Sequence, residues 1–214
     1  MPLAKMYDEI SRSLQDNQIV CGIFLDLKKA FDTVSIEILL QKLHFIGIRG
    51  DLHHIIKSYL DNRYQITKVN NICSDRKPVQ IGVRHGSILG PLLFILYIND
   101  ITYVTNEANF YLFADDTAIT IKAKTHAELQ IRINKILSDV SEWFLANRLS
   151  LNTSKTMYQL YSRSTLDDLD VQIHGSKILR QKSLRYLGVI VDENLKWKNH
   201  IYNISSIINR NLGV

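Results

Sequence analysis

NFYLFADDTAITI, residues 109–121, decides how this chain is read. Two apolar stretches meet at Asp115 and Asp116, and Asp tolerates turn conformations, so the segment predicts a hairpin with charge at its tip. QIVCGIFLDL, residues 18–27, is apolar, too short for a helix and rich in branched side chains. It predicts a central strand buried on both faces, ending near Asp26. All three carboxylates can then converge at one sheet edge. Two like charges about 4 Å apart repel by roughly 4 kcal/mol at an effective dielectric near 20, so such a grouping needs a reason. A divalent cation supplies one; oxygen donors without His or Cys point to magnesium. The other reading is a solvated Asp-Asp turn with Asp26 as a helix cap.

Beyond these stretches, residues 3–16 look helical. Ser35 caps a helix whose stripe is Ile36, Leu39, Leu40 and Leu43, ending before Gly47, and a second helix runs from about Asp51 to Leu60. Residues 63–69 and 77–83 alternate as strands, and Pro91 opens an apolar helix. From Thr125 to Leu149, apolar residues recur at helical spacing as one amphipathic helix. Strands follow near 156–161 and 184–191, and residues 197–212 close as a helix with little to pack against. This order predicts an α+β fold, a mainly antiparallel sheet with helices packed on one face.

Nine Gly and three Pro among 214 residues, with 46% hydrophobic and 22% charged side chains, exclude disordered, collagen-like and linker-like chains. Two cysteines and a charged N-terminus point to a reduced, intracellular protein, nuclear or cytoplasmic. The longest apolar run, Ile88 to Ile98, is too short to span a membrane, so no membrane partner is expected. Basic and acidic side chains balance over residues 1–176, so the net charge of +5 arises in residues 177–214. There Lys177, Arg180, Lys182, Arg185, Lys196, Lys198 and Arg210 face only Asp192 and Glu193. A second basic zone covers residues 57–85. Both suit a polyanion beside a metal site, and both also suit a solvated surface. The glycines and Ser87 of GVRHGSILG lie just before a helix start, where backbone donors can approach a base or sugar. Lys155 is either a proton donor to a pyrophosphate leaving group or a solvated side chain.

FLDLKKAFDTV, GSILGPLLFILYINDI, FADDT, LNTSKT and YLGVIVDENLKW occur in the order seen in reverse transcriptases, and the chain resembles those of non-LTR retrotransposons over nearly its whole length. The resemblance implies a polymerase palm and RNA-directed DNA synthesis at two Mg2+ ions, with Mn2+ as a substitute. It matches Asp26 and Asp115 to the main metal ligands and Asp116 to the second acid of the pair. It matches Phe31 to the position whose ring excludes a ribose 2′-hydroxyl, a residue otherwise read as core. His85, Gly86 and Ser87 fall in the loop beneath nucleotide and template, and Lys155 at the proton donor. Tyr186, Leu187 and Gly188 fall at the turn gripping the primer. The implied partners are an RNA template, a DNA primer and deoxynucleoside triphosphates.

Where the family reads Gly-Val-Pro-Gln-Gly-Ser, this chain has Arg84 and His85 in place of Pro and Gln. His offers one donor and one acceptor when neutral, with a reach unlike that of the Gln amide, so the departure bears on nucleotide positioning. Residues 1–176 are expected to form the palm core and 177–214 the primer-grip strands and a basic helix. Fingers and thumb, or the rest of a polyprotein, are expected as missing partners, and no endonuclease segment is recognised. A nucleic-acid-binding fragment without catalysis is the second functional expectation. A metal-dependent nuclease is the third, and it leaves Phe31 and Tyr186 without a role.

Overall fold

The computed structural model describes residues 2–84 and 86–212. In chain order these form α1 (Pro2–Gln15), β1 (Ile19–Leu25), α2 (Ile36–Phe45), α3 (Gly50–Leu60), and the short strands β2 (Arg63–Gln65), β3 (Lys68–Val69), β4 (Ile72–Cys73) and β5 (Lys77–Val79). Next come α4 (Leu89–Ile98), a 3-10 turn (Asn99–Tyr103), β6 (Asn109–Phe113), β7 (Asp116–Ala123), α5 (His126–Ala146) and β8 (Met157–Tyr161). Last are β9 (Gln172–Ile173), β10 (Ser176–Lys177), β11 (Leu179–Arg180), β12 (Ser183–Tyr186), β13 (Val189–Asp192) and α6 (Lys198–Leu212). Contacts divide the chain into two compact units. One holds the residues up to Asp26, Thr105–Ser141 and those from Asn152 onward; the other holds Leu27–Val104 and Glu142–Leu151.

The first unit is built on a five-stranded sheet in the order β11-β8-β1-β7-β6. Every pairing is antiparallel except β11 with β8. β1 is central because it is apolar throughout, and its side chains from Val20 to Leu25 are buried on both faces as its composition predicts. On one face Val20, Phe24, Ala118 and Tyr161 pack with Met6, Tyr7 and Ile10 of α1 and with Leu184, Tyr186 and Val191. On the other, Cys21, Ile23 and Ile119 are wholly buried. α5 runs beside β7, Arg132 donating to the Lys122 carbonyl at 3.1 Å, and its stripe Leu129, Ile133, Ile136, Leu137 and Val140 is also buried. Each such side chain contributes roughly 1.5–3 kcal/mol by leaving water.

In the second unit, the Ser35 hydroxyl accepts from Ile38 N–H at the start of α2 as its spacing predicts. Lys42 Nζ holds α2 to the end of α4, donating to the Tyr97 carbonyl at 2.7 Å and pairing with Asp100 at 2.6 Å while stacking 4.7 Å over Trp143. Burial lowers the Lys42 pKa, and Asp100 opposes that shift.

Four elements differ from the sequence reading, the first being the strand expected over 77–83, which forms only as β5, Lys77–Val79. The alternating run 63–69 is interrupted: β2 pairs with β5, while β3 and β4 close a separate ladder around Asn70 and Asn71, both at positive φ. α4 starts at Leu89, two residues before Pro91, which sits in the first turn where its missing N–H leaves no bond unmade. The strand expected over 184–191 is a hairpin, β12 and β13, turning at Leu187 and Gly188. α6 forms where expected and has no buried residue. No helix among the described residues is long and apolar enough to cross a membrane.

Candidate active site

The β1–β7 ladder brings two of the acids together. Its last pair is Leu25 with Thr117, so Asp26 and Asp116 stand one step further, at the same end of adjacent strands. Side chains alternate along a strand, which puts Asp26 on the face of Phe24 and Asp116 on the face of Ala118, and Phe24 and Ala118 are themselves opposed. Both carboxylates therefore occupy one face. The β6–β7 hairpin pairs Phe113 with Asp116 and leaves Ala114 and Asp115 as its two-residue turn. Ala114 takes φ +53, the left-handed region that costs a residue with a Cβ about 1–2 kcal/mol. Burial first, then the Asp115 and Asp26 carboxylates, raise the Asp116 pKa above the usual range. Negative charge is thus concentrated where β1 and β7 end.

Behind Asp26 lies the turn 152–156. Asn152 N–H donates to the Asp26 carbonyl at 2.7 Å, Asp26 N–H donates to Thr156 Oγ1 at 3.2 Å, and Asn152 Nδ2 donates to Asp26 Oδ2 at 2.8 Å. Lys155 is exposed within this turn, its N–H bonded to the Asn152 carbonyl at 3.1 Å. The sequence reading singled out Lys155 and missed Asn152 and Thr156. The Asn-x-Ser spacing of LNTSKT, a turn signature, was the available signal.

Tyr186 is only 5% exposed, and its ring meets Phe24 edge-on with centroids 5.0 Å apart. Its hydroxyl is buried without a hydrogen-bond partner among the described residues. Burial and then Asp116 push its pKa up. Leu187 (φ +47) and Gly188 (φ +81) make the turn that follows. Two successive positive φ values define the tight hairpin connection that Gly tolerates and Leu resists.

Phe31, Gly86 and Ser87 belong to the second unit. The Phe31 ring lies 4.9 Å from that of Phe94, and its carbonyl accepts from Val83 N–H at 2.8 Å. Gly82 takes φ +83 with a Cβ position 2.8 Å from the Asp32 carbonyl oxygen, so only Gly permits this approach. Ser87 Oγ donates to the Arg84 carbonyl at 2.8 Å and accepts from Gly90 N–H at 3.0 Å, serving the start of α4. His85 lies outside the described residues.

Among the described residues, no three His, Cys, Asp or Glu side chains form a group able to hold a metal ion by themselves. The donors present suit an ion that takes one or two carboxylates and completes its shell with water and phosphate, as magnesium does.

A carboxylate ending a central strand stands beside an Asp-Asp hairpin on the same sheet, within the α+β fold of a polymerase palm. The chain belongs to the reverse transcriptase (RNA-dependent DNA polymerase) family, whose model matches residues 4–191. It is 28% identical over 199 residues to the RNA-directed DNA polymerase from mobile element jockey of Drosophila melanogaster, covering 90% of this chain and 22% of that protein. It is 26% identical over 206 residues to the probable RNA-directed DNA polymerase from transposon X-element of the same fly, covering 94% and 23%. The chain thus spans about a fifth of the curated relatives it matches. Its fold is shared with apo telomerase from Candida tropicalis truncated from its C-terminal domain, at a TM-score of 0.59 and 13% identity over 88% of this chain and 38% of that one. Telomerase from Candida albicans, in complex with a fragment of telomeric RNA, aligns at a TM-score of 0.54 and 14% identity over 88% and 32%.

Proposed function

We propose that this chain supplies the palm of an RNA-directed DNA polymerase, in which a primer 3′-hydroxyl attacks the α-phosphate of a deoxynucleoside triphosphate on an RNA template. The observation that carries the reading is the placement of Asp26 and Asp116 on one face at the end of the β1–β7 ladder, in a chain of this family. Polymerases of this family use divalent metal ions; when bound, Mg2+, or Mn2+ in its place, activates the attacking oxygen and neutralises phosphate charge. Asp26, Asp115 and Asp116 would hold the ions. Lys155 would hold a proton at Nζ for the departing pyrophosphate, Phe31 would exclude a ribose 2′-hydroxyl, and Tyr186 to Gly188 would support the primer end.

Primer extension on an RNA template with Mg2+, by the longest reading frame containing this segment, tests the proposal. Incorporation is expected, and Asp115→Asn or Asp26→Asn should reduce it by several orders of magnitude. Extension that persists in both variants overturns the assignment. Template retention without extension in the unmodified protein supports instead a fragment that only binds nucleic acid.

A further inference from the structure

We infer that Asn152 is a positioning residue for the Asp26 carboxylate and that the turn 152–156 ties the Lys155 backbone to the same carboxylate. The inference rests on the metal-site reading above and adds to it a residue outside the acidic set.

The amide orientation follows from its partners. Ser154 Oγ donates to Asn152 Oδ1 at 2.7 Å, so the other end of the amide, Nδ2, faces Asp26 Oδ2 at 2.8 Å. An ionised carboxylate only accepts, so the donor must be the NH2 group. This single bond spans 126 positions of sequence. The turn does not need it to form: Lys155 and Thr156 N–H donate to the Asn152 carbonyl at 3.1 and 2.9 Å, Thr156 Oγ1 reaches the same carbonyl at 3.0 Å, and the backbones of Asp26 and Asn152 are already joined. Those bonds close the turn and dock it on the strand end. What the amide adds is a donor to one carboxylate oxygen. Among the described residues Asp26 Oδ1 accepts no hydrogen bond, so the amide fixes the rotation of the carboxylate and leaves Oδ1 for an ion. Lys155 sits three residues further in the same turn, its N–H bonded to the Asn152 carbonyl, so one residue links its backbone to the Asp26 carboxylate.

The test is Mn2+ binding by this 214-residue chain at pH 7, followed by loss of the free-ion electron paramagnetic resonance signal, with melting in EDTA as the fold control. Asn152→Ala should melt near the unmodified chain in EDTA and bind Mn2+ about 10-fold more weakly, the low end of what loss of an outer-shell partner does. Ser154→Ala, at an exposed position, should weaken binding in the same direction by a smaller factor. Asp26→Asn should weaken it more than either. Asn152→Ala binding within twofold of the unmodified chain, while Asp26→Asn is impaired, overturns the inference and leaves the metal site standing. If Asn152→Ala fails to fold, unchanged binding in Ser154→Ala overturns it. Absence of Mn2+ binding in the unmodified chain overturns the metal site and the inference with it.

Discussion

Asp116→Asn should stabilise the metal-free protein at neutral pH and do nothing for it in acid. Directly opposed side chains on neighbouring strands have Cβ atoms about 5 Å apart. Two charges at that separation interact by about 3 kcal/mol at an effective dielectric of 20 and by about 1 kcal/mol in water. Asp116 keeps much of its contact with water although its carboxyl is partly desolvated, so solvent screening holds the repulsion near the lower figure, about 1 kcal/mol. In a chain of this size that corresponds to a rise in Tm of about 2–4 °C. The pH dependence follows from the raised Asp116 pKa. Between the ordinary value, 3.8, and the raised one, the folded chain keeps a proton that the unfolded chain has released. Stability from this group is therefore complete below 3.8 and falls as pH climbs through the folded value. The Asn side chain carries no charge at any pH, so its advantage should be full at pH 7 and absent at pH 3.5. Magnesium should narrow the gap, because an ion held by the folded state raises only the stability of the chain that binds it. Thermal melts of both chains in EDTA at the two pH values, then in MgCl2 at pH 7, measure all of this. A lower Tm for Asp116→Asn at pH 7 in EDTA, or an equal gain at pH 3.5, refutes the reasoning.

Ala114→Gly should raise unfolding free energy by about 1 kcal/mol in urea titration, since φ +53 at the hairpin tip strains any residue with a Cβ. Gly82→Ala should lower it by about 2 kcal/mol or more, because its Cβ would sit 2.8 Å from the Asp32 carbonyl oxygen at φ +83; a neutral melt would show that the loop moves aside. Phe31→Val, in a reading frame that extends primers, should raise ribonucleotide incorporation relative to deoxynucleotide incorporation at least tenfold, and unchanged discrimination would return the ring to a packing role. Restoring Gln at His85 should increase nucleotide incorporation in the same assay; equal or lower incorporation would make the departure harmless.

Local patterns were enough for the parts of this protein that are local. Residues 18–27 and 109–121 carry their strands in apolar stretches and their turn in the Asp115–Asp116 pair that divides the second, while Ser35 announces α2 as its cap. The ordered motif blocks carried the family, which the comparison over residues 4–191 bears out. The pattern over 184–191 reads as one strand, because Leu is a poor turn residue and the flanking residues alternate without a break; the turn at Leu187 and Gly188 came only from the family resemblance, and packing of Tyr186 against Phe24 holds it in place. The hydroxyl of Ser87 bonds to the Arg84 carbonyl and Gly90 N–H, a capping role at the start of α4 that its place just before a helix start allowed.

From its sequence alone, then, this protein had its six described α-helices, the sheet strands β1, β6, β7 and β8, and its acidic residues, because periodicity and turn chemistry act over a few neighbours. Only the tertiary structure decided that β1 and β7 pair in the register that sets Asp26 beside Asp116, and that an amide 126 positions away grips the Asp26 carboxylate. Register is chosen by which faces can be buried together, and a hydrogen bond across such a separation exists only once the chain has closed that loop, so neither leaves a periodic trace in the residues that make it.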